Sequence, residues 1–178
     1  SETGSSLLVK GLLDESLEAY FAASPISASM RGHREYDSEV SDLSDSARAS
    51  YFLALENRLT RARALLSQRD DLADIDRLNL ELMLAKGEDA LRLRRFKREE
   101  QRLTQLNGLQ TWLMQLTNRL PIEGEVQRAD YLIRLKRIAE MIDQEVDLLR
   151  RGLARGNTPP RAVLHGVAEQ VRAILTTD

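Results

Sequence analysis

The residue pair with the clearest metal-ligand spacing in this sequence is His165 and Glu169. An imidazole and a carboxylate four positions apart on a helix share one face, where both can bind one metal ion. A zinc site uses three or four protein ligands, and the sequence identifies no third ligand for this pair. We therefore predict a surface ion pair or a hydrogen-bonded pair at these positions, with metal binding as the less favoured alternative.

A second group of titratable side chains lies in the polar segment 25–44, which shows no clear periodicity. Its members are His33, Glu35, Asp37, Glu39 and Asp42. A long segment of this kind is often functional when it is ordered, so it could line a substrate cleft or order against another part of a larger enzyme. We prefer a solvated connector in which Asp and Ser side chains make local turns. Nothing in the sequence fixes the distance between these carboxylates, so we assign none of them an acid–base role.

The stretch from residue 92 to residue 102 is rich in basic side chains, a composition that can indicate nucleic-acid binding. These side chains are Arg92, Arg94, Arg95, Lys97, Arg98 and Arg102. Glu99 and Glu100 interrupt the stretch, and Phe96 continues an apolar helical pattern. We therefore predict a solvated helix face and no nucleic-acid partner.

Trp112 and Tyr131 are aromatic side chains that could stack on a ligand. Both stand at helical spacing beside leucines, so we predict that they pack in the core. The sequence has no cysteine nucleophile, no Gly-x-Ser-x-Gly elbow and no phosphate-binding glycine loop. We assign no catalytic, cofactor-binding or metal-binding residue from these patterns.

The element that organises the rest of the chain is a long helix predicted near residues 125–155. Its apolar positions alternate in spacing between three and four residues: Leu132, Leu135, Ala139, Ile142, Val146, Leu149 and Leu153. Tyr131, Ile138 and Leu148 widen this seam into a stripe, which we predict to be buried. Gly156 follows as a left-handed stop.

Shorter apolar patterns predict five further helices. They cover residues 7–23, the region after the N-cap Ser44, a stretch from residue 72 weakened or bent at Gly87, residues 109–119 before Pro121, and a last helix. In that last helix Thr158 is the predicted cap, Pro159 takes the first position, and the buried residues are Leu164, Val167, Val171, Ile174 and Leu175. No stretch shows strand alternation. The predicted fold is all-α, with about six helices in an irregular bundle and no sheet.

Composition excludes several classes of protein. The 178 residues suit one domain with a proper core, and the net charge of −2 produces no strong field towards nucleic acid or anionic membranes. The absence of cysteine excludes disulfides and thiolate metal sites. No apolar run approaches the roughly 20 residues of a membrane span. Residues 1–4, Ser-Glu-Thr-Gly, are interpreted as a remnant of recombinant expression.

Short motifs along nearly the whole chain occur in the order found in a known bacterial family. They are Pro25, Gly32, Tyr36-Asp37, Asp42-Leu43-Ser44, Leu106-Asn107-Gly108, residues 129–135, Arg151-Gly152 and Gly156-Asn157-Thr158-Pro159-Pro160. Their order and spacing resemble the N-terminal part of the family catalogued as domain of unknown function 885. The resemblance implies an α-helical architecture and a protein that is exported, periplasmic or anchored as a lipoprotein. Composition alone leaves a cytoplasmic location open.

The resemblance also implies zinc-dependent peptide hydrolysis. In that family a His-Glu-x-x-Pro-Gly-His motif in the C-terminal half would supply two zinc-binding histidines and a glutamate that activates water. This sequence has only His33 and His165, and neither begins such a motif. No catalytic or metal-binding residue is therefore carried over, and zinc is expected only in a C-terminal part that this sequence does not include.

Two hypotheses follow. In the first, residues 1–178 form a single helical domain, the scaffold portion of a longer peptidase, with the remainder of that polypeptide as its partner and peptides as substrates. The chain is then expected to be inert by itself. In the second, the chain is a stand-alone protein–protein interaction or oligomerisation module that forms a homodimer through exposed helix faces.

Overall fold

The computed structural model describes residues 4–120 and 122–176, apart from the side chains of residues 114, 115 and 117, and these residues contain helices and no β-strand. The α-helices are α1 (Gly4–Ala23), α2 (Pro25–Ser29), α3 (Asp45–Gln68), α4 (Asp74–Leu93), α5 (Leu109–Arg119), α6 (Glu125–Arg155) and α7 (Val167–Thr176). Short 3₁₀ helices cover Arg34–Tyr36, Arg94–Phe96, Arg98–Gln101 and Arg161–Leu164. The all-α prediction is confirmed, including the long helix. Pro121 and most of the 1–4 remnant lie outside the described residues.

The helices divide into two compact units. Unit 1 comprises Ser1–Ser24 and Ser44–Phe96, and unit 2 comprises Pro25–Leu43 and Lys97–Asp178. Unit 2 therefore takes in the polar segment that interrupts unit 1 in the sequence. The organisation of residues 1–178 as a single domain stays a prediction.

In unit 1, α1, α3 and α4 pack against one another. Their core consists of Val9, Leu12, Ala62, Leu72 and Leu80. Ser44 caps α3 as predicted, because its side-chain oxygen accepts a hydrogen bond of 3.2 Å from the backbone N–H of Ala47.

Gly87 allows α3 and α4 to approach closely. The helix α4 continues through this position, where the glycine is buried. A Cβ atom placed on Gly87 would lie 2.5 Å from Cδ2 of Leu59, which is itself buried. The glycine was predicted to weaken or bend the helix; its observed role is to leave room for a leucine of the neighbouring helix.

In unit 2, the core forms between α5 and α6. Leu116 and Leu120 pack with Ile138 and Met141. Trp112, Tyr131, Ile142, Val40 and Leu43 are partly buried against this cluster. Trp112 and Tyr131 thus pack where the sequence predicted. The contacts of Val40 and Leu43 show that the polar segment 25–43 contributes to the core of this unit.

The buried face of α6 is one residue out of register with the predicted seam. The buried residues are Arg134, Ile138, Met141, Glu145, Leu148 and Gly152. In the predicted seam Leu132 is 60% exposed, Leu135 42% and Leu153 72%, while Ile142, Val146 and Leu149 are only half-buried. One residue corresponds to a rotation of roughly 100° about the helix axis. The prediction was right for Ile138 and Leu148, which were placed in the wider stripe, but wrong for the seam itself. The seam was wrong because three members of the observed face are an arginine, a glutamate and a glycine, which a hydrophobic pattern does not select.

The predicted last helix is also shorter than expected. Thr158 does not cap it, since a 3₁₀ helix covers Arg161–Leu164 and α7 begins only at Val167. Thr158 and Pro159 each precede a proline and so avoid helical geometry, and Gly166, at φ +80°, separates the two helices. Val167 is buried, whereas Val171 and Leu175 are exposed.

The observed register of α6 predicts which apolar side chains stabilise unit 2. Ile138→Ala should lower the free energy of unfolding by about 2–5 kcal/mol, because Ile138 is buried in the core. Leu132→Ala should change it by less than about 0.5 kcal/mol, because that side chain is exposed. Urea denaturation of both variants measures the difference. If Leu132→Ala lowered the free energy of unfolding more than Ile138→Ala, the result would favour the predicted seam and contradict the observed register.

Candidate functional site

Arg134 is a buried arginine that fastens the segment 25–43 to α6. Its side chain is 1% exposed. Its Nε donates to the carbonyl oxygen of Glu39 at 2.9 Å, and its Nη2 donates to Oγ of Ser29 at 2.7 Å and to the carbonyl oxygen of Tyr36. The planar guanidinium can serve three acceptors that lie in different directions. One side chain thereby joins three points of the segment to the helix.

Burial lowers the pKa of Arg134 below its ordinary value, because removal from water disfavours the charged form. The negative charges of Asp37, Asp130 and Glu39 oppose this effect. Arg134 faces the interior and binds the segment 25–43.

Further polar contacts along α6 hold the rest of the segment. Arg137 forms an ion pair with Glu39 and donates to the carbonyl oxygen of Ser38 at 3.3 Å. The amide of Gln144 accepts from the backbone N–H of Leu43 at 2.8 Å and donates to Asp42 at 3.1 Å. The segment is therefore ordered against the helix, and the preferred prediction of a solvated connector was wrong.

The five titratable residues of this segment do not converge on one point. His33 Nδ1 lies 3.2 Å from Oε1 of Glu35, and Arg34 forms an ion pair of 3.0 Å with Asp37. Glu39 and Asp42 contact α6 as described. Most of these carboxylates thus stabilise the fold of the segment. Asp37 is the buried one, and its Oδ1 has no hydrogen-bond partner among the described residues.

We call the attachment of the segment 25–43 to α6 by Arg134 the clamp, and replacing Arg134 tests it. Arg134→Ala should lower the free energy of unfolding by roughly 2–5 kcal/mol, because it leaves buried carbonyl oxygens and a serine hydroxyl without their donor. It should also make the segment 25–43 the first site of limited proteolysis. Lys136→Ala, an exposed position on the same helix, is the control and should change stability by less than about 0.5 kcal/mol. Equal stability and equal protease sensitivity of the two variants would contradict the clamp.

Unit 2 contains an open cleft of about 900 Å³. Its charged lining consists of Arg98, Arg102, Arg119, Glu99 and Glu145, and its aromatic residue is Trp112. The cleft thus combines side chains from α5, α6 and the 3₁₀ helix Arg98–Gln101. Its volume is within the range of small-molecule sites.

The wall that carries Arg98 and Arg102 is fixed by the buried Glu100. This carboxylate accepts a hydrogen bond of 2.6 Å from Arg155 and one of 3.1 Å from the amide of Asn157. Gly152 permits the close approach, since a Cβ there would lie 2.7 Å from the carbonyl oxygen of Glu100. The basic stretch 92–102 is accordingly not one helix face: it is broken by Lys97, at φ +46°, and two of its arginines line the cleft.

Glu145 is the second buried carboxylate of unit 2, and its surroundings differ from those of Glu100. It is 5% exposed, and its Oε2 has no hydrogen-bond partner among the described residues. Arg102 Nη1 lies 3.8 Å from that oxygen, an ion-pair distance beyond the range of a hydrogen bond. Burial raises the pKa of Glu145 from its ordinary value of 4.5, and Arg102 lowers it by a smaller amount. An under-bonded carboxylate in the wall of a cleft marks a candidate binding site.

The raised pKa of Glu145 predicts a pH-dependent stability. A raised pKa means that the native state binds the proton more tightly than the unfolded state. The free energy of unfolding therefore falls as the pH rises between the ordinary value of 4.5 and the native value, and it stays lowered above that window. In Glu145→Gln the side chain cannot ionise, so this loss of free energy of unfolding at high pH is removed.

We expect Glu145→Gln to have a higher urea midpoint than the wild type at about pH 8, and this gain to shrink as the pH falls to about pH 4. The lost attraction to Arg102 reduces the gain without reversing it, because burial has the larger effect. Asp147→Asn, whose side chain is 71% exposed on the same helix, is the control and should show no such trend. A gain that is equal at both pH values would contradict the assigned cause.

The structure separates the pair that had metal-ligand spacing. His165 lies in the turn between the 3₁₀ helix Arg161–Leu164 and α7, and Glu169 lies inside α7. Glu169 pairs with Arg172 at 3.5 Å. The prediction of a pair between His165 and Glu169 on one helix was therefore wrong. Within residues 4–120 and 122–176, no group of three or more His, Asp or Glu side chains is arranged to hold a metal ion.

Sequence reasoning missed Arg134 and Glu145 as candidate site residues. Arg134 stands four residues before Ile138, and Glu145 stands four residues after Met141 and three before Leu148. Charged residues that fall on the same helical stripe as buried apolar ones are the signal that could have identified them. A count of charged residues on that stripe would have placed both in the interior of unit 2.

Comparison with known proteins gives one result. The sequence model of a family described as "Bacterial protein of unknown function (DUF885)" matches residues 25–178. Neither the curated proteins nor the solved structures contain a match to the chain. In the part of the chain that the structure describes, no helix is both long and apolar enough to span a bilayer. Because the family match covers far more than half of the sequence, this protein belongs to the bacterial DUF885 family, as its motifs predicted.

Proposed function

We propose that this chain is the helical scaffold portion of a zinc-dependent peptidase whose metal ligands and catalytic glutamate lie outside residues 1–178. Family membership and the motif order support the proposal at the level of the family. The observation that carries it is the attachment of the segment 25–43 to α6 by the buried Arg134. A buried charge with several acceptors holds a polar segment in one conformation, which is what the wall of an enzyme cleft requires.

In this proposal the chain positions groups and performs no bond cleavage itself. Arg134 and Gln144 fix the polar segment on α6, and Glu100 fixes the 3₁₀ helix beside the cleft. The zinc ion would polarise the scissile carbonyl group and activate water. The residues 4–120 and 122–176 offer no cluster of ligands for it. In this proposal unit 2 is the support for a metal site formed elsewhere.

The experiment combines metal analysis with a peptidase assay. The 178-residue chain, purified with added zinc, should contain far less than one zinc per chain and should not hydrolyse a peptide library. A full-length parent that carries a His-Glu-x-x-Pro-Gly-His motif should contain one zinc and cleave peptides. Stoichiometric zinc or turnover in the 178-residue chain would overturn the scaffold role. A parent without that motif would overturn the peptidase assignment.

A second candidate function, an interaction or oligomerisation module, is favoured by one observation. Leu132, Leu135 and Leu153 are exposed along α6, and Leu132 and Leu135 lie about one helical turn apart. Exposed apolar side chains that adjoin one another mark protein contact surfaces. Light scattering across a range of protein concentration distinguishes the two. A mass that stays that of one chain at every concentration would count against self-association, while a dimer that is lost in Leu132→Glu would support it.

A further inference from the structure

The unit 2 cleft presents positive charges that no described residue neutralises. Arg98 and Arg119 line the cleft and are exposed. Neither forms an ion pair with another residue among those the structure describes. An arginine without a carboxylate partner offers a planar set of donors to an anionic ligand, above all to a carboxylate.

The same cleft contains a carboxylate that the fold satisfies only in part. Glu145 is buried in its wall, its Oε2 accepts no hydrogen bond within the described residues, and Arg102 lies 3.8 Å from that oxygen. Natural proteins seldom leave a buried carboxylate oxygen without a hydrogen bond, because an ion pair at this distance does not fully replace its lost hydration. The contrast with Glu100, which has two donors nearby, indicates that the missing donor of Glu145 comes from a ligand.

Part of the cleft lining is apolar. Leu109 and Trp112 line it and are half-buried, so each keeps part of its surface available. An aromatic ring and an aliphatic side chain can pack against an apolar group of a ligand. Asn107 and Thr111 add polar groups to the same lining.

We propose that this cleft binds a small zwitterion of the amino-acid type, with its ammonium group at Glu145, its carboxylate at Arg98 and Arg119, and its side chain against Trp112. The ligand must carry an ammonium group, a carboxylate group and an apolar side chain. A free amino acid provides all three, and so does a short peptide with free ends. The proposal concerns binding by this chain alone and goes beyond the scaffold function, because it needs neither zinc nor hydrolysis.

Two simpler ligands fit the cleft less well. An inorganic anion would meet the arginines but would also approach the carboxylates of Glu99 and Glu145, and it has no group for Trp112. A neutral apolar molecule would leave Arg98 and Arg119 without an anionic partner while it displaced water from them. The zwitterion satisfies both signs of charge together with the apolar surface.

Trp112 is the only tryptophan of the chain, so its fluorescence reports occupancy of the cleft. We would titrate the chain with phenylalanine, with the dipeptide leucyl-phenylalanine, and with phenylalanine blocked at the amine, at the carboxylate or at both. The free zwitterion should give a saturable change at millimolar concentration. The doubly blocked compound should bind at least about tenfold more weakly.

Variants test which residues bind the carboxylate of the ligand and which bind its ammonium group. The double variant Arg98→Ala with Arg119→Ala should weaken phenylalanine at least about tenfold and leave the carboxylate-blocked compound unchanged. Glu145→Gln should weaken phenylalanine at least about fivefold and leave the amine-blocked compound unchanged. Arg128→Ala, an exposed arginine of α6 outside the cleft, is the matched control and should bind like the wild type.

Tighter binding of the dipeptide than of phenylalanine would assign the site to peptide ends, and the reverse order would assign it to free amino acids. Four results would overturn the proposal: no saturable signal, equal binding of the doubly blocked compound, displacement by inorganic phosphate at the same concentration as phenylalanine, or equal losses in Arg128→Ala. None of these measurements depends on zinc content or turnover, so a failure here is distinguishable from a failure of the scaffold proposal.

Discussion

The structure of unit 2 depends on the burial of one guanidinium group. Removing the charge of Arg134 from water costs free energy, and the chain offsets that cost with acceptors from Ser29, Tyr36 and Glu39. Two of these acceptors are backbone carbonyl oxygens, so the arginine determines the path of the main chain and not only the position of a side chain. A segment rich in polar residues, which could not bury enough apolar surface by itself, acquires a fixed conformation in this way.

The two buried glutamates of unit 2, Glu100 and Glu145, differ in how far the fold satisfies their hydrogen bonds. Glu100 receives hydrogen bonds from Arg155 and Asn157, so its cost of burial is compensated within the fold. Glu145 has only the more distant Arg102, and burial raises its pKa. The difference between them is their bonding and not their burial. That criterion separates a structural carboxylate from one that is available to a ligand.

Much of the fold could be predicted from the sequence, because helical periodicity is a local property. The bounds of α5 and α6 and the cap at Ser44 follow from residues within a few positions of one another. The register of α6 could not be predicted, because it depends on partners of Arg134 that lie 95 to 105 residues away in the sequence. A hydrophobic pattern treats arginine as a surface residue, whereas its burial becomes favourable only once distant carbonyl groups converge on it. The cleft could not be predicted either, because its lining comes from several elements that are separate in the sequence.

The register of α6 also explains how one helix can serve two purposes in unit 2. Towards its beginning, Arg134 and Arg137 hold the segment 25–43. Towards its end, Gly152 and Arg155 hold the 3₁₀ helix that carries Arg98. Glu145 lies between these two attachments, at a level where the helix is fixed from both directions. A rigid position of this kind suits the proposed role of Glu145, whose carboxylate would accept a hydrogen bond from a ligand. Had the apolar seam been buried instead, a rotation of roughly 100° would have carried Arg134 and Glu145 away from their present surroundings, and neither the clamp nor the cleft could form.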